Sequence, residues 1–251
     1  MRPQRTMIDG QAAMWRQTMF LKRAAGLDRG AFVTGWEALS RQLARRPGSD
    51  RPARIILNLP LDPPVPELAA MFGDRYDGVG EFWFASRDAA VRTLLRMERD
   101  EALRRRSDAL LDGAACSRWL AESVPHVELP GTGVKFVVAG QQAEGYTVDE
   151  AQRYWREMHP PLFRAVDDFM AHITRYVQMH GRDVPELAQT QLFGRYDFYP
   201  MCADMGLRRI EDVAVAYALP SYLATIRPDE LKFSKQGEML SFASTRSLVL
   251  E

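Results

Sequence analysis

Cysteine is scarce in this chain, with only Cys116 and Cys202 among 251 residues. The two lie far apart without ligand-like neighbours, which argues against a disulfide framework or a zinc site and fits a reducing cytoplasm. Net charge is missing as well, since 33 basic residues balance 33 acidic ones. No overall field therefore recruits nucleic acid or a membrane surface, and a local cluster such as Arg104-Arg105-Arg106 reads as solvated helix surface. No apolar run approaches the length of a membrane span. Residues 1–17 lack the continuous apolar core of a signal peptide and read as a loosely held extension. Phosphate loops, nucleotide fingerprints and a serine-centred elbow are absent too.

What the chain does have is an internal repeat. Val65-Pro66-Glu67-Leu68-Ala69 returns 119 residues later as Val184-Pro185-Glu186-Leu187-Ala188, and the same offset carries Gly26 to Gly145 and Trp36 to Trp155. Downstream, Phe72-Gly73-Asp74-Arg75-Tyr76-Asp77 returns shortened as Phe193-Gly194-Arg195-Tyr196-Asp197. A composition of 46% hydrophobic and 26% charged residues is that of an ordinary globular protein. The length then divides into an extension over 1–17, a first unit over 18–129 and a second over 130–251.

Each unit reads as strand, helix, strand, strand, helix, strand. In the first, Met19-Phe20-Leu21 is a short apolar run read as the first strand, Asp28 can cap a helix, and Phe32, Trp36, Leu39 and Leu43 form its buried stripe. Strands follow at Arg54 to Leu59 and Val79 to Phe84, then a long helix from Asp88 to Leu111 and a strand from Arg118 to Val124. In the second unit Val134 to Val138 is a strand, Thr147-Val148-Asp149-Glu150 a capping box, and Ala151, Trp155, Met158 and Leu162 the stripe. Thr174 to His180, Val213 to Leu219 and Leu240 to Leu248 complete the strands, with a shortened second helix. The segment Tyr196 to Arg209, with Phe198 and Tyr199, is too apolar for a solvated connection and reads either as filler for the shortened helix or as a lid over a cavity. The order β-α-β-β-α-β is the ferredoxin-like plan, an α+β fold.

Trp155-Arg156-Glu157-Met158-His159-Pro160-Pro161-Leu162 and Arg175-Tyr176-Val177-Gln178-Met179-His180 resemble two landmarks of the EthD family. Tyr76-Asp77-Gly78-Val79-Gly80-Glu81-Phe82-Trp83-Phe84 resembles its third-strand segment. The resemblance implies the dimeric α/β-barrel superfamily, in which two ferredoxin-like units pair their sheets around a cavity; here both would come from one chain. A helix-end motif usually read as His-Gly-Pro-Leu is His159-Pro160-Pro161-Leu162, and the first unit has Ser40 at the equivalent place. Histidine chemistry there belongs to one unit only.

Alternate strand residues share a face, so Tyr176, Gln178 and His180 point together, and at the repeat offset their counterparts are Leu57, Leu59 and Leu61. Replacing aligned leucines by a phenol, an amide and an imidazole needs a reason, because buried polar groups need partners. On the third strand Val79, Glu81 and Trp83 match Val213, Val215 and Tyr217, which would bring Glu81 to the shared cavity from the other unit. His159, His180 and Glu81 are candidate acid/base groups, and Tyr176 a candidate donor to an oxyanion. Gln178, Trp83, Trp155, Tyr217, Phe198 and Tyr199 are candidate substrate contacts. His126 and His172 read as structural.

The expected function is cofactor-independent acid/base chemistry of the dehydratase, decarboxylase, cyclase or isomerase type, on a small hydrophobic or aromatic oxygenated metabolite. Two alternatives stand beside it: a non-catalytic ligand-binding accessory protein, and an oxidative enzyme of the monooxygenase type with or without haem. No metal or other cofactor is expected. The partners are a small ligand and, for the fused pair, a further copy of itself.

Overall fold

The computed structural model describes residues 14–48, 51–61, 65–66, 70–71, 75–235, 237 and 239–251. Residues 1–13 of the expected extension, and Glu67-Leu68-Ala69 and Phe72-Gly73-Asp74 of the first repeat copy, lie outside the described residues.

In chain order the elements are β1 (Met14–Leu21), α1 (Arg29–Ala44), β2 (Arg54–Leu59), β3 (Gly78–Phe84), α2 (Arg87–Glu98), α3 (Glu101–Leu110), β4 (Ser117–Glu128) and β5 (Val134–Gly140). There follow α4 (Val148–Glu157), α5 (His159–Ala165), α6 (Asp167–Met170), β6 (Ile173–Gly181), β7 (Arg195–Tyr196) and β8 (Met201–Leu207). The chain ends with α7 (Glu211–Tyr217), a π-turn over Tyr222–Ile226, α8 (Arg227–Phe233), β9 (Leu240–Ser244) and β10 (Arg246–Leu250). No helix among the described residues is long and apolar enough to cross a membrane. The fold is mixed α/β with mainly antiparallel sheet pairing, the short β7 lying parallel to β4.

Two compact units are present, and neither is one uninterrupted stretch. The first takes Ala13–Glu122, Gly181–Phe198 and Arg246–Glu251; the second takes Ser123–His180 and Tyr199–Thr245. In the first unit the strands run β10-β2-β3-β1-β4. Asp28 caps α1 by accepting the Ala31 N–H at 2.9 Å, and its buried stripe is Phe32, Trp36, Leu39 and Leu43, as the periodicity predicts. This stripe lies on the sheet face bearing Met19, Leu57 and Phe82. Gly80 permits the approach, since a Cβ there would stand 2.8 Å from the end of Met19 and 3.1 Å from the Trp36 ring. The helix expected over Asp88 to Leu111 is broken at Arg99, because the Asp100 carboxylate caps a new helix through the Leu103 N–H at 3.0 Å.

In the second unit the strands run β6-β8-β5-β9. Several expectations are corrected here. The third strand of this unit is Met201–Leu207, not Val213 to Leu219, which is the helix α7 and its exit. The apolar stretch Tyr196 to Arg209 is therefore mostly strand and neither filler nor lid. Helical residues from Glu211 to Phe233 occupy the length assigned to a shortened helix. Finally, Leu240 to Leu248 is no single strand: β9 pairs with β5, whereas β10 pairs with β2 of the first unit. Met14 to Gln17, expected in the extension, belong to β1.

Candidate active site

The site lies within the second unit and begins at a helix junction. Thr147 and Glu150 close a capping box at the start of α4, which fixes the helix so that Ala151 and Trp155 face inward. Pro160 and Pro161 cannot continue that helix, but they suit the first turn of a new one, where no amide bond is lost. α5 thus starts at His159. The imidazole is 3% exposed, and its Nδ1 lies 2.9 Å from Oδ2 of Asp229 on α8. An ionised carboxylate only accepts, so Nδ1 carries the hydrogen and Nε2 is the basic nitrogen. Oδ1 of Asp229 accepts from the Tyr154 hydroxyl at 2.6 Å and from Lys232 Nζ at 3.2 Å. Burial pushes the Asp229 carboxyl up, but the bonds from Tyr154, His159 and Lys232 outweigh it and hold its pKa below the usual value.

Strand β6 supplies the other half. Tyr176, Gln178 and His180 share a face by alternation and are 2%, 0% and 0% exposed. Trp155 Nε1 donates to the Tyr176 oxygen at 3.0 Å, and Gln178 Nε2 donates to the same oxygen at 2.9 Å and to the Trp155 carbonyl at 2.7 Å. Gln178 Oε1 then serves as acceptor for His180 Nε2 at 3.0 Å. Two accepted bonds use the lone pairs of the Tyr176 oxygen, and its own hydrogen has no acceptor among the described residues. Burial drives the Tyr176 pKa upward against the bonds from Gln178 and Trp155, so the hydroxyl stays a neutral donor.

Around these groups stand aromatic rings. Phe163 stacks on Tyr176 with centroids 4.4 Å apart, and Phe233 meets His159 edge-on at 5.1 Å. The His159 and Tyr176 centroids are 6.2 Å apart. On the outer side, Tyr154 and Met158 line a surface cleft of about 270 Å³ shared with Tyr146, Arg153 and Glu157.

The strand registers refine the comparison between units. Gly80 pairs with Leu57 and Met19 as Ala203 pairs with Gln178 and Val138, so the counterparts of Tyr176, Gln178 and His180 are Ile55, Leu57 and Leu59. This corrects the expected Leu57, Leu59 and Leu61 by one pleat. Aliphatic residues still stand where the second unit has polar ones.

The EthD domain model matches residues 143–237. This chain carries an EthD domain. Helices α4 and α5, strand β6 and Asp229 all fall inside it. The EthD domain brings together five predicted residues, Trp155, His159, Tyr176, Gln178 and His180, and the rest stand elsewhere. Tyr217 ends α7 rather than lying on a strand, packed against Phe169 at 5.6 Å and Tyr222 at 4.9 Å. Phe198 and Tyr199 are half-buried residues leading to β8. Glu81 belongs to the first unit, where its carboxylate takes Arg16 at 3.0 Å, Asn58 at 2.7 Å and Trp83 Nε1 at 3.1 Å. Its register counterpart is Asp204, bound by Lys135 at 3.4 Å, rather than Val215.

Sequence reasoning missed Asp229 and Tyr154, and it read His126, which stands beside the site, as structural. His126 stacks on Tyr176 at 5.3 Å, and burial lowers its pKa to about 4. It lies on β4, the strand beside β6, an adjacency that no spacing in the sequence records.

No group of three metal-ligating side chains occurs among the described residues. His159 has the carboxylate-held Nδ1 that suits an axial haem ligand, and the rings of Phe163, Tyr176 and Phe233 stand within 6.2 Å of its imidazole.

No curated protein matches the chain in sequence. Among solved structures it resembles an anthrone oxidase-like protein at 9% identity and a TM-score of 0.54, covering 96% of this chain and 94% of the other. A candidate monooxygenase from Fusobacterium nucleatum resembles it at 7% identity and a TM-score of 0.50, again covering 96% and 94%. These likenesses concern the fold.

Proposed function

We propose that this EthD-domain protein is an enzyme that moves protons on a small aromatic or alicyclic oxygenated metabolite without a redox cofactor. One observation supports this reading above the rest. A carboxylate-held histidine and a tyrosine hydroxyl with a proton left to donate occupy one apolar cluster, 6.2 Å apart by ring centroid. His159 Nε2 would take a proton from carbon or oxygen, and the imidazolium so formed is stabilised by Asp229. The Tyr176 O–H would bond the oxygen on which charge develops, with Trp155 and Gln178 holding that hydroxyl in place. His180 acts one bond further out, through Gln178. The surrounding rings select a flat, apolar substrate body. The two units are further inferred to be tandem copies of one β-α-β-β-α-β plan, of which only the second kept the polar set.

The test is solvent deuterium uptake, read by proton NMR, at the acidic C–H positions of a panel of aryl and cyclic ketones: the carbons next to the carbonyl and, in anthrone, the ring methylene opposite it. Uptake above buffer that falls by about 100-fold or more in His159→Ala, and by about 10-fold in Tyr176→Phe, supports the reading. Uptake by His159→Ala equal to wild type would reject it.

A second reading follows from the names of the structural neighbours, oxidation of an electron-rich aromatic by dioxygen. Dioxygen consumption with anthrone in the same samples, with no deuterium uptake, would favour it. Thermal stabilisation by these compounds without either reaction would point to a binding protein.

A further inference from the structure

We propose that Tyr154 and Lys232 are positioning residues that set the basicity of His159 through Asp229. The inference rests on His159 as the proton-transferring group and adds the means by which its proton affinity is fixed. Asp229 is 1% exposed and is gripped from both sides. Oδ2 faces His159, while Oδ1 holds the Tyr154 hydroxyl and the Lys232 ammonium. The Lys232 side chain is 56% exposed, and Tyr154 forms part of the surface cleft, so both reach the outside of the unit.

A negative carboxylate beside an imidazole favours the imidazolium and makes the ring more basic. A cation or hydrogen-bond donor on the far oxygen spends part of that negative charge, which weakens the effect. Asp229 therefore raises the basicity of His159, while Tyr154 and Lys232 lower it. A base that must both accept and return a proton works best between these limits. The remaining charged or titratable groups near His159 are Glu230, held by Tyr222 and Arg227 on its own helix, Tyr176 on β6, and His126 on β4, near Arg156 and Arg164. Of these, Tyr176 also feels the Asp229 charge, so the Tyr154 and Lys232 variants, which leave that carboxylate in place, carry the test.

The experiment is a pH titration of the four histidine rings by NMR on the full chain labelled at histidine, with His159 assigned from the signal missing in His159→Gln. Asp229→Asn is expected to lower the His159 midpoint by about one pH unit or more, and Lys232→Met and Tyr154→Phe to raise it by about half a unit each. Lys232→Arg restores the wild-type midpoint. In Asp229→Asn, adding Lys232→Met produces no further upward shift, because the arm no longer passes through a carboxylate. Lys232 is on the surface, so that variant folds whatever the others do. Midpoints in Lys232→Met and Tyr154→Phe that stay at the wild-type value or move down overturn the inference, as does a His159 ring that fails to titrate between about pH 4 and 9. The readout is independent of turnover. Correct midpoints with deuterium uptake unaffected by His159→Ala would reject the proposed function and keep the tuning, and the reverse pattern would do the opposite.

Discussion

Tyr176 is held by donors that have nowhere else to go. Trp155 Nε1 and one Gln178 N–H both end on its oxygen in a cluster at most 4% exposed. Tyr176→Phe keeps the ring stacked on Phe163 and removes only the acceptor, so two buried N–H groups lose a partner. The expected loss is about 1–3 kcal/mol of unfolding free energy, read from urea denaturation. His126 gives a prediction in pH. Burial keeps its folded pKa near 4, below the ordinary value of 6.5. Between those values the unfolded chain binds the extra proton, so its contribution to stability is present above about pH 6.5 and is lost as pH falls toward about 4. That contribution is on the order of 2 kcal/mol, and His126→Phe, which preserves the stack on Tyr176, should flatten this part of the stability profile. At this scale the sequence was readable where chemistry follows local periodicity. Tyr176, Gln178 and His180 declare themselves by alternation, and His159 by its place before two prolines. Asp229 and His126 do not, because each meets its partner across the fold and no spacing records the encounter.

Among the elements, the return segment Gly181–Phe198 shows how far a repeat can mislead. Its Val-Pro-Glu-Leu-Ala motif marks the equivalent of the first copy, yet the segment packs in the first unit. Phe193, 1% exposed, adopts a left-handed backbone with φ of 65° and meets Trp36 and Phe82 edge-on, each at 5.5 Å. Gly194 follows with φ of 112°, where a Cβ would stand 2.4 Å from that of Cys116. Arg118 secures the segment: its guanidinium donates to the Gly194 carbonyl at 2.9 Å and to the Thr190 carbonyl and hydroxyl at 2.8 and 2.5 Å. Burial lowers the Arg118 pKa to about 10, which still leaves it charged at neutral pH. Arg118→Ala should cost about 3–5 kcal/mol through lost bonds and packing, and should open Gly181–Phe198 to limited proteolysis before the rest of the unit. Intact resistance of that segment would refute the anchoring. Periodicity located β2, found β3, β5 and β6 to within about two residues at each end, and caught only the end of β1. It failed at β8 because Met201–Leu207 carries Asp204 at its centre, while Val213-Ala-Val-Ala-Tyr alternates like a strand but buries Val213 and Ala216, three residues apart, as a helix does.

The path of the whole chain decides what can fold alone. A cut between 129 and 130, where the repeat suggests a domain boundary, removes Gly181–Phe198 and Arg246–Glu251 from the first unit. Val184, Leu187, Leu192 and Phe193 would vanish from its core. At roughly 1.5–3 kcal/mol for each fully buried large side chain, four such losses approach the whole stability of an ordinary domain. Arg118 would keep its buried charge without Thr190 and Gly194. The edge of β2, covered by β10 from Arg246 to Leu250, would be left as a row of unpaired amides beside Leu57 and Ile55. The fragment 1–129 is therefore expected to be insoluble or molten, with poorly dispersed amide resonances. Adding the peptides 181–198 and 246–251 in trans should recover dispersion at best in part, because joining three chains costs association entropy that the single chain does not. A cooperative thermal transition and native dispersion for 1–129 alone would show that the repeat boundary is a folding boundary after all. The expected outcome instead leaves the repeat as a pattern in the sequence, while the folding units are drawn by where the chain returns.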